Sequence, residues 1–172
     1  MKKTLLALAA IAGISMLFMG CPHSTKTPAS DPVIDNSGDD TPVEESKEKV
    51  FVENADGLDN CSVLVKYDEL KAVADEHADA AFVIVVKNTS GAGRTGWGCG
   101  QIYTSLDPDD AYNTKDEVIL DDYKPTGLAN DGDTEELSFV LMSDVLAKVA
   151  EGGCVSFNLW NGIVAVKAYA KW

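Results

Sequence analysis

The pattern of apolar and polar positions divides the chain into three zones. Large apolar residues dominate the first 20 positions, whereas residues 21–49 are poor in them and rich in Ser, Thr, Pro, Asp and Glu. From residue 50 to residue 172, short apolar or alternating runs recur between turn-forming residues. We therefore expect a leader over 1–20, a disordered acidic tether over 21–49 and one folded domain over 50–172.

The leader starts with positive charge and continues as an apolar run. Lys2 and Lys3 precede Leu5–Met19, a run of 15 residues, and a membrane-spanning helix needs ~20. The pattern therefore indicates a cleaved export signal rather than a permanent membrane helix. Gly20 and Cys21, preceded by Leu, Phe and Met, resemble the lipobox read by the lipoprotein signal peptidase, although the leucine stands one position earlier than usual.

The lipobox resemblance implies cleavage before Cys21 and lipidation of Cys21, so that the chain contacts the membrane through this N-terminal lipid only. Lipoproteins usually reach the outer membrane unless Asp follows the cysteine, and Pro22 follows it here. The expected location is the outer membrane or the cell surface. The alternative is an ordinary secretory signal in which Cys21 is incidental.

Beyond the tether, the hydrophobic pattern predicts an all-β fold, a β-sandwich of about eight antiparallel strands. The predicted strands are Val50–Val52, Cys61–Tyr67, Ala81–Lys87, Gly98–Thr104, Glu117–Asp122, Glu135–Leu141, Cys154–Trp160 and Ile163–Lys171. Two segments with helical spacing, Asp68–His77 and Ser143–Val149, predict one or two short helices. Within Cys61–Tyr67, the alternation places Val63 and Val65 on the core face. Phe82–Val86 is apolar on both faces, which is typical of a central or covered strand.

Charge narrows the range of partners. Residues 50–172 contain 21 acidic and nine basic side chains, a formal net charge of −12. Nucleic acid and anionic lipid are therefore poor partners. The acidity also has a simpler interpretation, namely solubility and mutual repulsion on a crowded surface.

The cysteines do not form a metal-binding pattern. Cys61, Cys99 and Cys154 remain once Cys21 is lipidated, and they have no CxxC spacing. A zinc site is therefore not expected. In an oxidising compartment one disulfide can form, and we weakly prefer Cys99 with Cys154, although the sequence does not select the pair.

Two stretches carry a resemblance to a known class of domain. Residues 137–172 contain a strand, a capped helical turn, a glycine pair, a strand ending in Trp-Asn-Gly and a last amphipathic strand. Residues 82–103 contain a strand, a Gly-rich loop and a strand with an aromatic residue. This order resembles the jelly-roll carbohydrate-binding modules of bacterial glycosidases. The resemblance implies a jelly roll that binds polysaccharide or another glycan.

Aromatic and amide side chains supply the chemistry that sugars need, because rings stack on apolar C–H faces while amides bind hydroxyls. Alternation in the seventh strand places Asn158 and Trp160 on the outer face. In the fourth strand it places Trp97, Gln101 and Tyr103 together, on the same face as Cys99. Both tryptophans have the alternative of lying under loops or in the core, and glycines in the fourth strand can break its alternation.

Arg94, the only arginine of the chain, lies in the Gly-rich loop. It can bind sugar hydroxyls, although pairing with an acidic neighbour is the favoured interpretation. The expected carbohydrate-binding residues are therefore Trp160, Asn158, Trp97, Gln101, Tyr103 and Arg94.

No catalytic motif is found in the sequence, which has neither GxSxG nor HExxH, and enzymatic activity is not expected. No cofactor is expected either, although aspartates near positions 107–110, 121–122 and 131–133 leave a structural calcium open. Two functions remain, namely a lipid-anchored carbohydrate-binding module and a structural or adhesive surface lipoprotein that binds a protein. Joint exposure of Trp97 and Trp160 would favour the first.

Overall fold

The computed structural model describes residues 47–172, so the predicted leader, Cys21 and most of the predicted tether lie outside the described residues. The strands are β1 Glu48–Glu53, β2 Val63–Lys66, β3 Ala81–Asn88, β4 Gly100–Ser105, β5 Lys115–Leu120, β6 Thr134–Val140, β7 Cys154–Leu159 and β8 Ile163–Lys171. Helix α1 spans Tyr67–Glu76, a 3-10 turn spans Pro108–Asp110 and a π-helical turn spans Leu141–Leu146.

The strands form two sheets of four. The first sheet has the order β1-β8-β3-β6 and the second sheet has the order β2-β7-β4-β5. Every pairing is antiparallel, so the predicted β-sandwich of about eight antiparallel strands with short helices is confirmed. Strands β1 and β8, β2 and β7, β3 and β6, and β4 and β5 are all hydrogen-bonded neighbours. A rolled-up hairpin, or jelly roll, requires this nested pairing.

The apolar run of β3 lies in the middle of the first sheet, as its pattern predicts. Phe82, Ile84 and Val86 are completely buried in the core between the sheets. Each contributes about 1.5–3 kcal/mol by leaving water. Val83 and Val85 alternate with them and therefore lie on the outer face.

The predicted alternation of β2 is wrong by one position. Leu64 and Val65 are both buried in the core, whereas Val63 is half-buried. The cause is a β-bulge, because the pairing with β7 shifts register between Val63 and Val65. A bulge places two residues opposite one and so breaks the period of two.

Short helices close one end of the sandwich. The Glu69 carboxylate accepts a hydrogen bond from the Lys66 backbone N at 3.2 Å and so satisfies a donor at the start of α1. Leu70 and Val73 of α1 are buried in the common core. The second predicted helix is a π-helical turn that begins two residues earlier than expected, directly where β6 ends.

The other end of the sandwich is built from loops and is called the loop end below. The connections 54–62, 89–99, 121–133 and 160–162 all cross from one sheet to the other there. Antiparallel pairing explains why they meet, since the strands they follow all run towards this end. Of the three candidate aromatic residues, Trp97 and Trp160 lie in these loops, whereas Tyr103 lies within β4.

Candidate functional site

Trp160 stands at the start of the shortest connection at the loop end. Asn161 and Gly162 have φ values of 59° and 73°, and Ile163 N donates to Trp160 O at 3.2 Å. Positive φ at both central residues defines a type I′ turn, for which Asn-Gly is the preferred sequence. A Cβ on Gly162 would lie 2.6 Å from Ser90 Cβ, so the adjoining loop also requires glycine. The turn presents the Trp160 side chain with 41% of its surface exposed.

Side-chain hydrogen bonds join the Gly-rich loop 89–99 to this turn, one donated by the loop and one donated by the turn. Arg94 Nε donates to Asn161 O at 2.6 Å, and Asn161 Nδ2 donates to Gly98 O at 2.7 Å. The backbone N of Trp160 also donates to Cys99 O at 2.9 Å. These bonds join the loop and the turn into one unit.

Trp97 lies within that unit and is 56% exposed. The Arg94 guanidinium carbon lies 5.1 Å from the centroid of the Trp97 ring, which is cation–π distance. Arg94 has no ion pair with a carboxylate among residues 47–172. Instead of the expected acidic neighbour, the Arg94 side chain contacts the Trp97 ring and the Asn161 carbonyl.

Asn158 and Gln101 form a polar rung on the outer face of the second sheet. They are direct partners in the pairing of β4 with β7, and both are half-buried. Gln101 Nε2 donates to Asp121 Oδ1 at 2.6 Å, and its Oε1 accepts from Lys115 Nζ at 2.9 Å. The Asn158 amide has no hydrogen-bond partner among residues 47–172, so it can bind a ligand hydroxyl.

Tyr103 is not part of the exposed surface. Its side chain is completely buried, and Lys115 Nζ lies 4.3 Å from the centre of its ring. Burial raises the pKa of the Tyr103 hydroxyl to about 12. Tyr103 therefore shares the outer face with Gln101, as predicted, but does not present its ring to a ligand.

Cys99 departs from the predicted face as well. It lies in the core between the sheets, whereas the sequence pattern places it beside Tyr103 on the outer face. The break occurs at Gly100, which has a φ of 150°, and β4 begins only there. Burial raises the pKa of the Cys99 thiol.

The weak preference for a disulfide between Cys99 and Cys154 is wrong. Both thiols are free, as is that of Cys61. Cys154 lies opposite Ser105, at the far end of β4 from Gly100. Five residues of strand span about 17 Å, and bridged cysteines need Cα atoms within about 7 Å.

The aspartate-rich turns use their carboxylates locally. Asp107 Oδ1 accepts from Asp109 N at 2.9 Å, and Asp133 Oδ2 accepts from Asn130 N at 2.6 Å. Such bonds are the usual role of Asp in turns. Among residues 47–172, no three His, Cys, Asp or Glu side chains are grouped as metal ligands would be. The described residues therefore do not indicate a specific set of ligands for a structural calcium.

The hydrophobic pattern does not select Asn88, a polar side chain with four hydrogen bonds behind the site. It is completely buried at the end of β3. Its amide donates to Ala92 O at 2.7 Å and Asn130 O at 2.9 Å, and its Oδ1 accepts from both N and Oγ of Ser90. All four hydrogen-bonding positions of the amide are filled. The signal that could have found it is an Asn that ends an apolar strand.

Comparisons with protein-family models, curated proteins and solved structures find no match for this chain. In the described part of the chain, no helix has the length and apolar character needed to cross a membrane.

Proposed function

We propose that the chain is a membrane-anchored, non-catalytic carbohydrate-binding lipoprotein whose glycan stacks on Trp160 and Trp97. The observation that carries this proposal is that the two tryptophans are 41% and 56% exposed on segments hydrogen-bonded to each other. Large aromatic side chains that stay exposed on a rigid loop are typical of a binding surface. The nested strand pairing supports the jelly-roll part of the proposal.

The polar groups nearby match the other half of a sugar. Pyranose rings present C–H faces to indoles and hydroxyls to hydrogen-bonding side chains. The Asn158 amide offers both donors and an acceptor, while the terminal nitrogens of Arg94 have no acceptor among residues 47–172. Gln101 belongs to the proposed site through its rung with Asn158. Tyr103 is buried, so in this proposal it supports the sheet beneath the Gln101–Asn158 rung and does not contact the glycan.

For the non-catalytic part of the proposal, the residue to consider is His77, which a cysteine–histidine nucleophile would have to use. This ring stacks on Trp172 with centroids 3.9 Å apart and planes 10° apart, at the helical end of the sandwich. It is not hydrogen-bonded to Cys61, Cys99 or Cys154 within residues 47–172. A cysteine–histidine nucleophile would need such a bond.

Binding of a protein partner remains the second candidate, because exposed tryptophans and arginine are also the residues that dominate protein interfaces. The two candidates differ in what the site recognises. Both sites would use the exposed tryptophans, but only a glycan site binds a soluble polysaccharide.

The test is affinity electrophoresis of the full-length chain in gels containing plant and bacterial polysaccharides. We expect retardation by at least one polysaccharide and at least tenfold weaker binding, about 1.4 kcal/mol, for Trp160→Ala and for Trp97→Ala. Tyr112→Ala is the matched control, because Tyr112 is 54% exposed but lies between β4 and β5, away from the loop end. Absence of retardation on every glycan would overturn the proposal.

Anchoring at Cys21 is tested separately, by metabolic labelling with an alkyne-bearing palmitate in a diderm host. We expect label on the wild-type chain in the membrane fraction and none on Cys21→Ser. Cys61→Ser controls for loss of an unrelated thiol and should remain labelled. Equal labelling of Cys21→Ser and the wild-type chain would rule out this anchor.

A further inference from the structure

The loops of the loop end hold two cationic side chains, Arg94 and Lys124. Lys124 Nζ lies 2.9 Å from Asp122 Oδ2, so its charge is neutralised within the domain. Arg94 forms no ion pair with a carboxylate in the described part of the chain. Its positive charge, which lies beside Trp97, is therefore available to a ligand.

The Arg94 guanidinium is held in place by the protein. Its Nε donates to Asn161 O at 2.6 Å, and its central carbon lies 5.1 Å from the centroid of the Trp97 ring. The two terminal nitrogens make no hydrogen bond with residues 47–172, and the side chain is half-buried. A guanidinium presents its N–H groups as a rigid planar fork that matches the two oxygens of a carboxylate. Because its position is already fixed, Arg94 loses little freedom when it binds such a group.

The aspartates of the neighbouring loop 121–133 are held by other groups. Asp131 Oδ1 accepts from Gly91 N at 2.8 Å, and Asp121 Oδ1 accepts from Gln101 Nε2 at 2.6 Å. The loop end therefore combines a fixed cation that lacks an acidic partner with the Asn158 amide, which lacks a hydrogen-bond partner among the described residues. A carboxylate on a molecule rich in hydroxyls is complementary to both groups.

We propose that the glycan carries a uronic acid residue, an inference that rests on the proposed glycan-binding function. The carboxylate accepts two hydrogen bonds from the terminal nitrogens of Arg94, and its sugar ring then lies beside Trp97. Hydroxyls of the same glycan bind the Asn158 amide.

The charge of the domain limits how acidic that glycan can be. Residues 50–172 have a formal net charge of −12, so a polysaccharide with a carboxylate on every sugar is repelled. A single carboxylate in contact with Arg94 is affected less, because charges more than about 8 Å apart are largely screened at physiological ionic strength. The expected ligand class is a neutral polysaccharide with scattered uronic acid side groups.

The test is calorimetric titration of the full-length chain with glucuronoxylan and gum arabic, each in its native form and with its carboxyl groups chemically reduced to alcohols. Reduction removes the charge and keeps the sugar ring. We expect at least tenfold weaker binding of the reduced forms, and weaker binding of polygalacturonate than of glucuronoxylan. Galactomannan and mixed-linkage β-glucan are the neutral comparisons, and phosphomannan tests whether the anionic group is a phosphate.

The outcomes separate this inference from the proposed function. Equal binding of native and reduced forms, or binding of neutral polysaccharides alone, would overturn the uronic acid and leave glycan binding intact. Tighter binding of phosphomannan or of polygalacturonate than of glucuronoxylan would overturn the ligand class. If no polysaccharide binds, the inference and the proposed function both fail.

Substitutions at Arg94 make the test specific to this side chain. Arg94→Gln should bind native glucuronoxylan no better than the reduced form, and Arg94→Lys, which keeps the charge but not the fork, should retain part of the preference. Lys124→Gln is the matched control and should keep the full preference, because the Lys124 charge is already paired. The readout is the ratio of the two affinities, since a loosened Trp97 would weaken both alike. An unchanged ratio in Arg94→Gln would overturn the assignment.

Discussion

Single side chains of the same type have very different environments in this chain, and the cysteines show it most clearly. Cys99 and Cys154 are completely buried, whereas Cys61 is only half-buried, at the start of the second sheet. Burial raises the pKa of Cys99, and it raises that of Cys154 to about 11. Since the thiolate is the reactive form, environment should control which cysteine is modified.

We expect Cys61 to react with a water-soluble maleimide at least tenfold faster than Cys99 or Cys154 at pH 8. Raising the pH to 9 should leave Cys154 largely unmodified, because its pKa of about 11 keeps it protonated. Peptide mapping by mass spectrometry after timed quenching measures each rate. Modification in 6 M guanidinium is the control, where the three rates should converge; equal rates in the native chain would contradict the assigned burial.

At the scale of elements, the loop end depends on Asn88, which joins the Gly-rich loop to the connection 121–133. Asn88→Ala removes all four hydrogen bonds of a completely buried side chain, including those to the carbonyls of Ala92 and Asn130. We expect a loss of about 1–3 kcal/mol in the free energy of unfolding, because each lost hydrogen bond contributes about 0.5–1.5 kcal/mol and water replaces only part of them. Urea denaturation followed by circular dichroism measures it.

Asn113→Ala is the matched control for this prediction, because the Asn113 amide makes one exposed bond, to Asp110 at 2.7 Å. It should change stability by less than about 0.5 kcal/mol. If both variants lose the same stability, Asn88 is an ordinary surface contact.

At Gly100 the chain passes from the core position of Cys99 to the outer-face rung that Gln101 and Asn158 form. A Cβ there would lie 2.5 Å from Asn158 O, and its φ of 150° disfavours other residues. Gly100→Ala should therefore destabilise the fold by about 1–3 kcal/mol and weaken glycan binding through the displaced Asn158. Gly127→Ala, whose Cβ would have its nearest contact at 3.4 Å, should do neither. Thermal unfolding and affinity electrophoresis measure the two effects, and equal behaviour of the variants would contradict the role.

The strands and the loops differ in how far the sequence predicts them. All eight strands are predicted from local sequence, because short apolar or alternating runs bounded by turn residues are typical of strands. The errors occur where chain geometry depends on a distant neighbour, as at the β2 bulge opposite β7 and at Gly100 against Asn158. Likewise, the exposed position of Trp97 depends on hydrogen bonds that Arg94 and Gly98 of its loop make with Asn161, more than 60 residues away, which periodicity does not contain. The burial of Tyr103 beneath Lys115 has the same origin.

At the scale of the whole molecule, stability should fall in alkali because several buried groups hold their protons more tightly in the folded chain. Burial raises the pKa values of Tyr103 and Tyr169 to about 12 and that of Cys154 to about 11, while the unfolded groups titrate near 10 and 8.5. Above pH 9 the unfolded chain therefore binds fewer protons, and its relative free energy falls.

Between pH 9 and pH 11 each of these three groups should remove about 1–2 kcal/mol from the free energy of unfolding, with the stability fully present below the unfolded pKa values. Urea titrations at several pH values measure the slope. Tyr103→Phe removes one contribution and keeps the ring, so its stability should fall less steeply with pH than that of the wild-type chain. The general repulsion of an acidic chain is common to both proteins and cancels in the comparison. Identical slopes would show that the Tyr103 hydroxyl titrates normally in the folded state and that the outer face above it is open to water.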